Sequence, residues 1–203
     1  IEERDSAKIY TDGQIGLRIF PHGELEWLIP DNETGTRRLE IMEILREMSQ
    51  TLHLMGGWPE QLFVERMTAK QRYQENSSRG YTHEITFQYI QRGYPLVSAS
   101  APLRIVLTDR GIVEYNRQIR QLSTRASDAL PLVPPLDAVA AAAANIQRQS
   151  DALELSSVYP AYYLGDIMIT ENTLAYPSWI VCFATGERAV VDGLTGSFRT
   201  WLR

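Results

Sequence analysis

Histidine and cysteine, which often carry catalysis or bind metals, are scarce in this chain of 203 residues, which has three histidines and one cysteine. His22 lies in a predicted turn, His53 lies off the apolar stripe of a predicted helix, and His83 lies in a predicted strand. His83 precedes Glu84 but lacks the second histidine four positions on that would make a zinc-binding face. Cys182 stands among apolar residues, a setting typical of a buried, inert thiol. We expect none of the four to be reactive.

Sequence motifs of the common enzyme classes are also absent. The chain has no G-x-S-x-G, no H-E-x-x-H, no Walker-type phosphate loop and no G-x-G-x-x-G. A hydrolase or transferase needs a nucleophile with a base, a metal cluster or a phosphate cradle. We therefore predict a protein that is not an enzyme, with no catalytic residue, no cofactor and no metal. An enzyme with an unrecognised site remains the third-ranked hypothesis.

Composition and charge narrow the possible partners. The net charge is -5, with 20 basic and 25 acidic residues, which gives no support to binding of nucleic acid. A single cysteine cannot form an internal disulfide. The chain contains no apolar run of 18 residues, so we expect any membrane anchor to precede Ile1, with the polar segment after it as a tether.

Three tyrosines near a proline are the candidate partner-binding residues. Tyr159, Tyr162 and Tyr163 surround Pro160. Tyrosine gives a large contact area at a small entropic cost and is enriched at protein interfaces. The alternative is that alternate tyrosines pack beneath the second predicted helix. The sequence leaves both interpretations open.

The first part of the chain predicts a connector, a hairpin and a helix. Ile1 to Thr11 is polar and is predicted to be a connector, and alternating apolar residues from Ile15 to Ile29 predict a hairpin. A helix is predicted from Arg37 to Met55, ended by Gly56-Gly57. Apolar residues at helical spacing form its predicted core stripe: Ile41, Met42, Leu45, Met48, Leu52 and Met55.

A predicted meander follows, and a second helix and meander come after it. The first meander consists of four runs: Leu62 to Met67, Tyr81 to Ile90, Leu103 to Leu107 and Ile112 to Tyr115. Gln118 to Pro135 is polar and then proline-rich, and is predicted to be a boundary. Leu136 to Gln149 is predicted to be a helix whose alanines let it lie close to a sheet. The last strands are predicted at Glu154 to Tyr163, Asp166 to Thr170 and in the meander Tyr176 to Phe198.

These elements predict an α+β fold of two similar units, each a helix packed on an antiparallel β-meander. We place an N-terminal unit at residues 1–125 and a C-terminal unit at residues 126–203. The duplication is suggested by Tyr94-Pro95 and Tyr176-Pro177, each of which precedes an apolar strand, a glycine-bearing turn and another strand.

The residues of the second half also resemble a known family. Tyr159-Pro160-x-Tyr162, then Tyr176-Pro177-x-Trp179 leading into a strand, and then Val191-Asp192-Gly193-Leu194-Thr195-Gly196 resemble the C-terminal half of the YycH/YycI family of bacterial cell-envelope regulators. The V-D-x-x-T-G ending is also similar to the PepSY domain. The first half is similar to the same family in Phe87-Gln88-Tyr89, Gly93 to Val97, Ile105 to Leu107 and Gly111 to Tyr115.

The resemblance implies a function outside the cytoplasm. It implies a non-catalytic, single-pass membrane protein whose folded part lies outside the cytoplasmic membrane. There it would modulate a sensor histidine kinase of a two-component system that controls cell-wall metabolism. Its partners would be that kinase, through its extracytoplasmic or transmembrane region, and a related YycH/YycI-type regulator. The alternative is a secreted PepSY-type module that binds an envelope ligand or inhibits a peptidase.

Overall fold

The computed structural model describes residues 2–4, 7–21, 23–29, 35–73, 79–98, 101–118, 131–146, 154–165 and 174–202. In chain order the elements are β1 (Glu2–Arg4), β2 (Ala7–Thr11), β3 (Gly16–Ile19), β4 (Glu24–Leu28), α1 (Ile41–Leu54), β5 (Leu62–Tyr73), β6 (Arg79–Gln91), β7 (Tyr94–Ser98), β8 (Leu103–Thr108), β9 (Gly111–Gln118), α2 (Pro135–Ala144), β10 (Leu155–Leu164), β11 (Tyr176–Phe183), β12 (Arg188–Asp192) and β13 (Phe198–Leu202). The protein is therefore of the α+β class, as predicted.

The chain folds into two compact units. The first contains residues 1–89 and 101–121, and the second contains residues 90–100 and 122–203. The predicted boundary at residues 125 and 126 lies outside the described residues. Because residues 90–100 belong to the second unit, strand β7 lies in that unit.

The sheet of the first unit is antiparallel among the described strands. Its order is β1-β2-β3-β4-β9-β8-β6, and β5 pairs with β6 as well. The predicted hairpin is confirmed as β3 and β4. The prediction of a connector at the N-terminus is wrong, because β2 pairs with β3 from Lys8 opposite Ile19 to Thr11 opposite Gly16. Backbone hydrogen bonds to the adjacent hairpin hold this polar segment as a strand, and Ala7 is buried.

Helix α1 packs on this sheet, but its core stripe differs from the predicted one. Met48 and Leu52 are buried as predicted, together with Ile44, and they contact strand residues that include Ile85, Phe87, Ile105 and Tyr115. Ile41, Met42 and Leu45 are exposed, so their assignment to the stripe is wrong. Residues 41, 42, 44 and 45 are all apolar, but only the side of the helix that carries Ile44 faces the sheet.

Both ends of α1 are fixed by named contacts. At its start the Glu43 carboxylate accepts the Glu40 N–H at 3.0 Å and two hydrogen bonds from Arg37. The helix begins at Ile41, four residues later than predicted. Gly56 and Gly57 follow the helix with φ of 97° and 86°, as the predicted stop requires.

The second unit repeats the helix and four-stranded meander of the first. Its strand order is β7-β10-β11-β12-β13, in which β10 to β13 are antiparallel neighbours. Strand β7 instead pairs in parallel with β10, with Tyr162 opposite Leu96. The Tyr94-Pro95 strand therefore lies beside β10 and is not the counterpart of the Tyr176-Pro177 strand. The predicted strand at Asp166 to Thr170 lies outside the described residues.

Helix α2 begins at Pro135 and lies close to its sheet, as its alanines predict. Ala138 and Ala142 have no exposed surface, and they pack against Val181, Ala189 and Val191. Side chains of this size allow close approach of helix and strand backbones. The alanine run is thus part of the core of the second unit.

Candidate functional site

The three predicted tyrosines lie on opposite faces of β10. Tyr159 and Tyr163 belong to a core cluster with Ile180 and Val190, and Tyr163 is 6% exposed. Neither packs beneath α2, whose contacts form a separate cluster. Tyr162 points to the opposite side because side chains alternate along a strand. The structure therefore brings the three residues onto one strand without bringing them together on one surface.

Tyr162 forms an aromatic pair that the sequence did not indicate. The Tyr94 and Tyr162 rings meet edge to face, with centroids 6.2 Å apart and planes at 83°. Tyr94 is 47% exposed. Across from β10, Tyr162 stands opposite Pro177, and two residues along Pro160 stands opposite Trp179. We call Tyr94, Pro160, Tyr162, Pro177 and Trp179 the aromatic–proline patch.

The proline-rich segment before α2 is bound to the second unit's own sheet. The Trp179 indole N–H donates to the Val133 carbonyl at 3.0 Å, and the Val133 N–H donates to the Gly193 carbonyl at 2.8 Å. Gly193 permits this close approach, since a Cβ there would lie 2.8 Å from a Leu132 methyl and 2.9 Å from the Pro177 oxygen. Residues 131–135 of the predicted boundary are therefore bound to the sheet, and Gln118 at its start is the last residue of β9.

The V-D-G-L-T-G sequence forms a turn that Asp192 organises. Its Oδ1 accepts the N–H groups of Leu194 at 2.8 Å and Thr195 at 2.9 Å, and its Oδ2 accepts hydrogen bonds from the Arg199 guanidinium. Burial raises the pKa of Asp192, but the hydrogen bonds from Thr195, Arg199 and Leu194 outweigh that effect and lower the pKa to about 2. Arg199 also stacks over the Tyr176 ring at 4.9 Å. The motif thus has a structural role here.

Histidine and cysteine residues are dispersed. His53 is exposed on α1, Cys182 is half-buried beside the second unit's core, and His22 lies outside the described residues. His83 is 2% exposed, and its Nε2 accepts the Leu39 N–H at 3.0 Å. In the part of the chain that the structure describes, no three His, Cys, Asp or Glu side chains are grouped as metal ligands would be.

A network of ion pairs lies on the β5-β6-β8-β9 part of the first unit's sheet. Glu84 accepts hydrogen bonds from Lys70 at 2.6 Å and Arg104 at 2.7 Å, and Arg104 also binds Glu114. Burial raises the pKa of Glu84, but Arg104 and Lys70 outweigh that effect and lower it to about 2. Each cation is paired, so the network stabilises the folded sheet and leaves no excess charge for a ligand.

A shallow polar pocket of about 220 Å³ lies between the start of α1 and the β8–β9 turn. Asp109 lines it and accepts the Thr36 N–H at 2.9 Å and the Thr36 hydroxyl at 2.7 Å. Glu43 and Arg37 also line it and are paired with one another. The carboxylates therefore hold the segment before α1 in place.

Comparison with known proteins yields one structural likeness. No protein-family model matches the chain, and no curated protein matches it. Among solved structures, the chain is similar to the Bacillus megaterium YpeB C-terminal domain, with a TM-score of 0.49 and 10% sequence identity over 96% of this chain and 87% of that one. At this identity no residue role or activity carries over. No helix among the described residues is both long and apolar enough to cross a membrane.

Proposed function

We propose that this chain is the folded, extracytoplasmic part of a non-catalytic regulator that modulates a membrane sensor histidine kinase controlling cell-wall metabolism. A segment before Ile1 anchors it in the cytoplasmic membrane, and a related YycH/YycI-type regulator is its second partner. The proposal starts from the resemblance of the strand and turn motifs to that family.

The edge-to-face pair of Tyr94 and Tyr162 carries the proposal. Tyr162 belongs to the family-like motif on β10, and its cross-strand neighbour Pro177 belongs to the next motif on β11. Tyr94 is 47% exposed and Tyr162 is partly buried, and rings that hold one another edge to face offer rigid contact area. Tyrosine is among the residues that dominate binding energy at interfaces. The aromatic–proline patch is therefore the proposed contact surface for the kinase.

We expect the anchored full-length protein to co-purify with the kinase from membranes, and residues 1–203 alone to capture it weakly. Two partners anchored in one bilayer have a high effective concentration, so weak contacts between them suffice. Co-purification of the full-length and anchor-deleted forms measures this. Equal capture by the anchor-deleted form would contradict the role of the anchor, and no capture by either form would contradict the kinase as partner.

Substituting both Tyr94 and Tyr162 by alanine should weaken capture of the kinase at least about tenfold, because two aromatic anchors are lost. Tyr10→Ala is the matched control: Tyr10 is 39% exposed on β2 of the first unit, outside the patch. Quantitative co-purification of the three proteins gives the result. Unchanged capture by the double variant would show that the kinase does not bind through the patch.

A second candidate function rests on the turn that Asp192 organises. The V-D-x-x-T-G sequence is similar to the PepSY domain, and here it forms a compact turn with both Asp192 oxygens engaged. This favours, as the alternative, a secreted PepSY-type module that binds an envelope ligand or inhibits a peptidase. A cleavable signal peptide before Ile1, in place of an anchor, would support this alternative.

A further inference from the structure

The segment that leads into α1 is held to the first unit's sheet at three points. Gly35 forms a bridge with Tyr81, whose N–H donates to the Gly35 carbonyl at 3.2 Å. Thr36 is bound through its N–H and hydroxyl by Asp109. Leu39 donates its N–H to His83 Nε2. We call residues 35–40 the α1 leader.

The His83 contact depends on a ring nitrogen that must be free of a proton. A neutral imidazole accepts a hydrogen bond at one nitrogen only, and both nitrogens are donors once the ring is protonated. Because Nε2 accepts from Leu39, the folded state holds His83 neutral with its proton on Nδ1. Protonation would leave a buried N–H facing another N–H, with no acceptor for either.

The surroundings of His83 oppose its protonation. Burial and the positive charge of Arg38 lower the pKa of His83 below its ordinary 6.5, and the negative charge of Asp109 opposes them. Its cross-strand neighbours, Ala69 on β5 and Leu107 on β8, carry no charge. In α1, the first-turn carboxylate of Glu43 is already engaged by Arg37 and Glu40.

We propose that His83 is an acid-sensitive latch: in mild acid it takes up a proton, loses the Leu39 N–H and releases the Leu39 end of the α1 leader from β6. Asp109 keeps its hold on Thr36 over the same range, because hydrogen bonds from Thr36 keep that carboxyl ionised despite its partial burial. The release is therefore local, and the rest of the first unit stays folded. This inference concerns the first unit and does not depend on the proposed kinase partner.

The expected size follows from proton linkage. With an ordinary pKa of 6.5 in the released state, the equilibrium constant for opening the leader rises by at most about 25-fold between pH 7 and pH 5. The sign is fixed by the lowered pKa of the folded state: the latch is fully closed above pH 6.5 and weakens as pH falls below it. Between pH 8 and pH 7 the same linkage gives a rise of at most about 1.3-fold.

Amide hydrogen exchange of residues 38–43 at pH 7 and pH 5, corrected for intrinsic exchange rates, tests the latch. His83→Gln is the decisive variant, because its side-chain oxygen can accept the Leu39 N–H but does not titrate. His53→Gln is the matched control on exposed α1 surface. We expect the rise in opening in the native chain and in His53→Gln, and a flat profile in His83→Gln. A flat native profile, or a rise that persists in His83→Gln, overturns the proposal.

A second measurement covers the case in which His83→Gln does not fold. Imidazole chemical shifts of His83 in the unsubstituted chain report its titration directly. We expect its midpoint below 6.5, together with loss of Leu39 protection over the same pH range. A midpoint at or above the ordinary value, or Leu39 protection that persists after the ring has titrated, overturns the latch.

Discussion

Replacing Asp192 by alanine is expected to lower the free energy of unfolding by about 3 kcal/mol. The substitution leaves two backbone N–H groups, those of Leu194 and Thr195, and the Arg199 guanidinium without the acceptor that the buried Asp192 carboxylate supplies in a partly buried turn. Each buried polar group that loses its partner costs about 1–3 kcal/mol. Urea unfolding followed by tryptophan fluorescence measures the loss.

Asp12→Ala is the matched control for this prediction. Asp12 also accepts the N–H groups two and three residues along, those of Gln14 and Ile15, but its turn is exposed and has no arginine partner. We expect its substitution to leave the stability nearly unchanged. An equal loss at both positions would mean that the turn geometry alone, without burial and Arg199, accounts for the effect.

The same carboxylate should make stability depend on pH. The folded-state pKa of Asp192 is about 2, below its ordinary 3.8, so its contribution is fully present above about pH 4 and is lost as pH falls towards 2. Asp192→Asn removes the titrating group. The native chain should therefore lose more stability than Asp192→Asn between pH 4 and pH 2, and parallel profiles would contradict the assignment.

Met48→Ala should lower the free energy of unfolding by about 3 kcal/mol, whereas Met42→Ala should change it little. Met48 is 1% exposed in the α1 core and its truncation leaves a cavity, while Met42, on the same helix, is 66% exposed. Chemical unfolding of the two variants decides between the observed stripe and the predicted one. A substantial loss of stability in Met42→Ala would contradict the observed stripe and support the predicted one.

Periodicity predicted both helices, but it could not fix the rotation of α1 about its axis. Ile41, Met42, Ile44 and Leu45 are all apolar, so the pattern alone allows more than one flank to face the sheet. In α2 the prolines correctly predicted the start of the helix, and the alanines correctly predicted a face that packs closely on the sheet. The helix start near Arg37 was predicted too early because the leader is extended and held by Asp109 and His83, which are distant in sequence.

Long-range pairing was the least predictable part of the fold. Nothing local in Tyr94 to Ser98 indicates that this strand pairs in parallel with β10, more than 60 residues away by number. The Tyr94 partner of Tyr162 was missed for the same reason. The strand predicted at Glu154 to Tyr163 would by its geometry place Tyr162 and Tyr163 on opposite faces, but this consequence was not among the predictions.

The two backbone hydrogen bonds of Val133 determine how the chain that leads into α2 would respond to tension. Its carbonyl is held by Trp179 on β11 and its N–H is held by the turn after β12. Tension applied to the chain upstream of Pro131 would therefore load these two hydrogen bonds and the strands behind them before it could unwind the first turn of α2. The sheet of the second unit bears such a load, and the alanine helix is shielded from it.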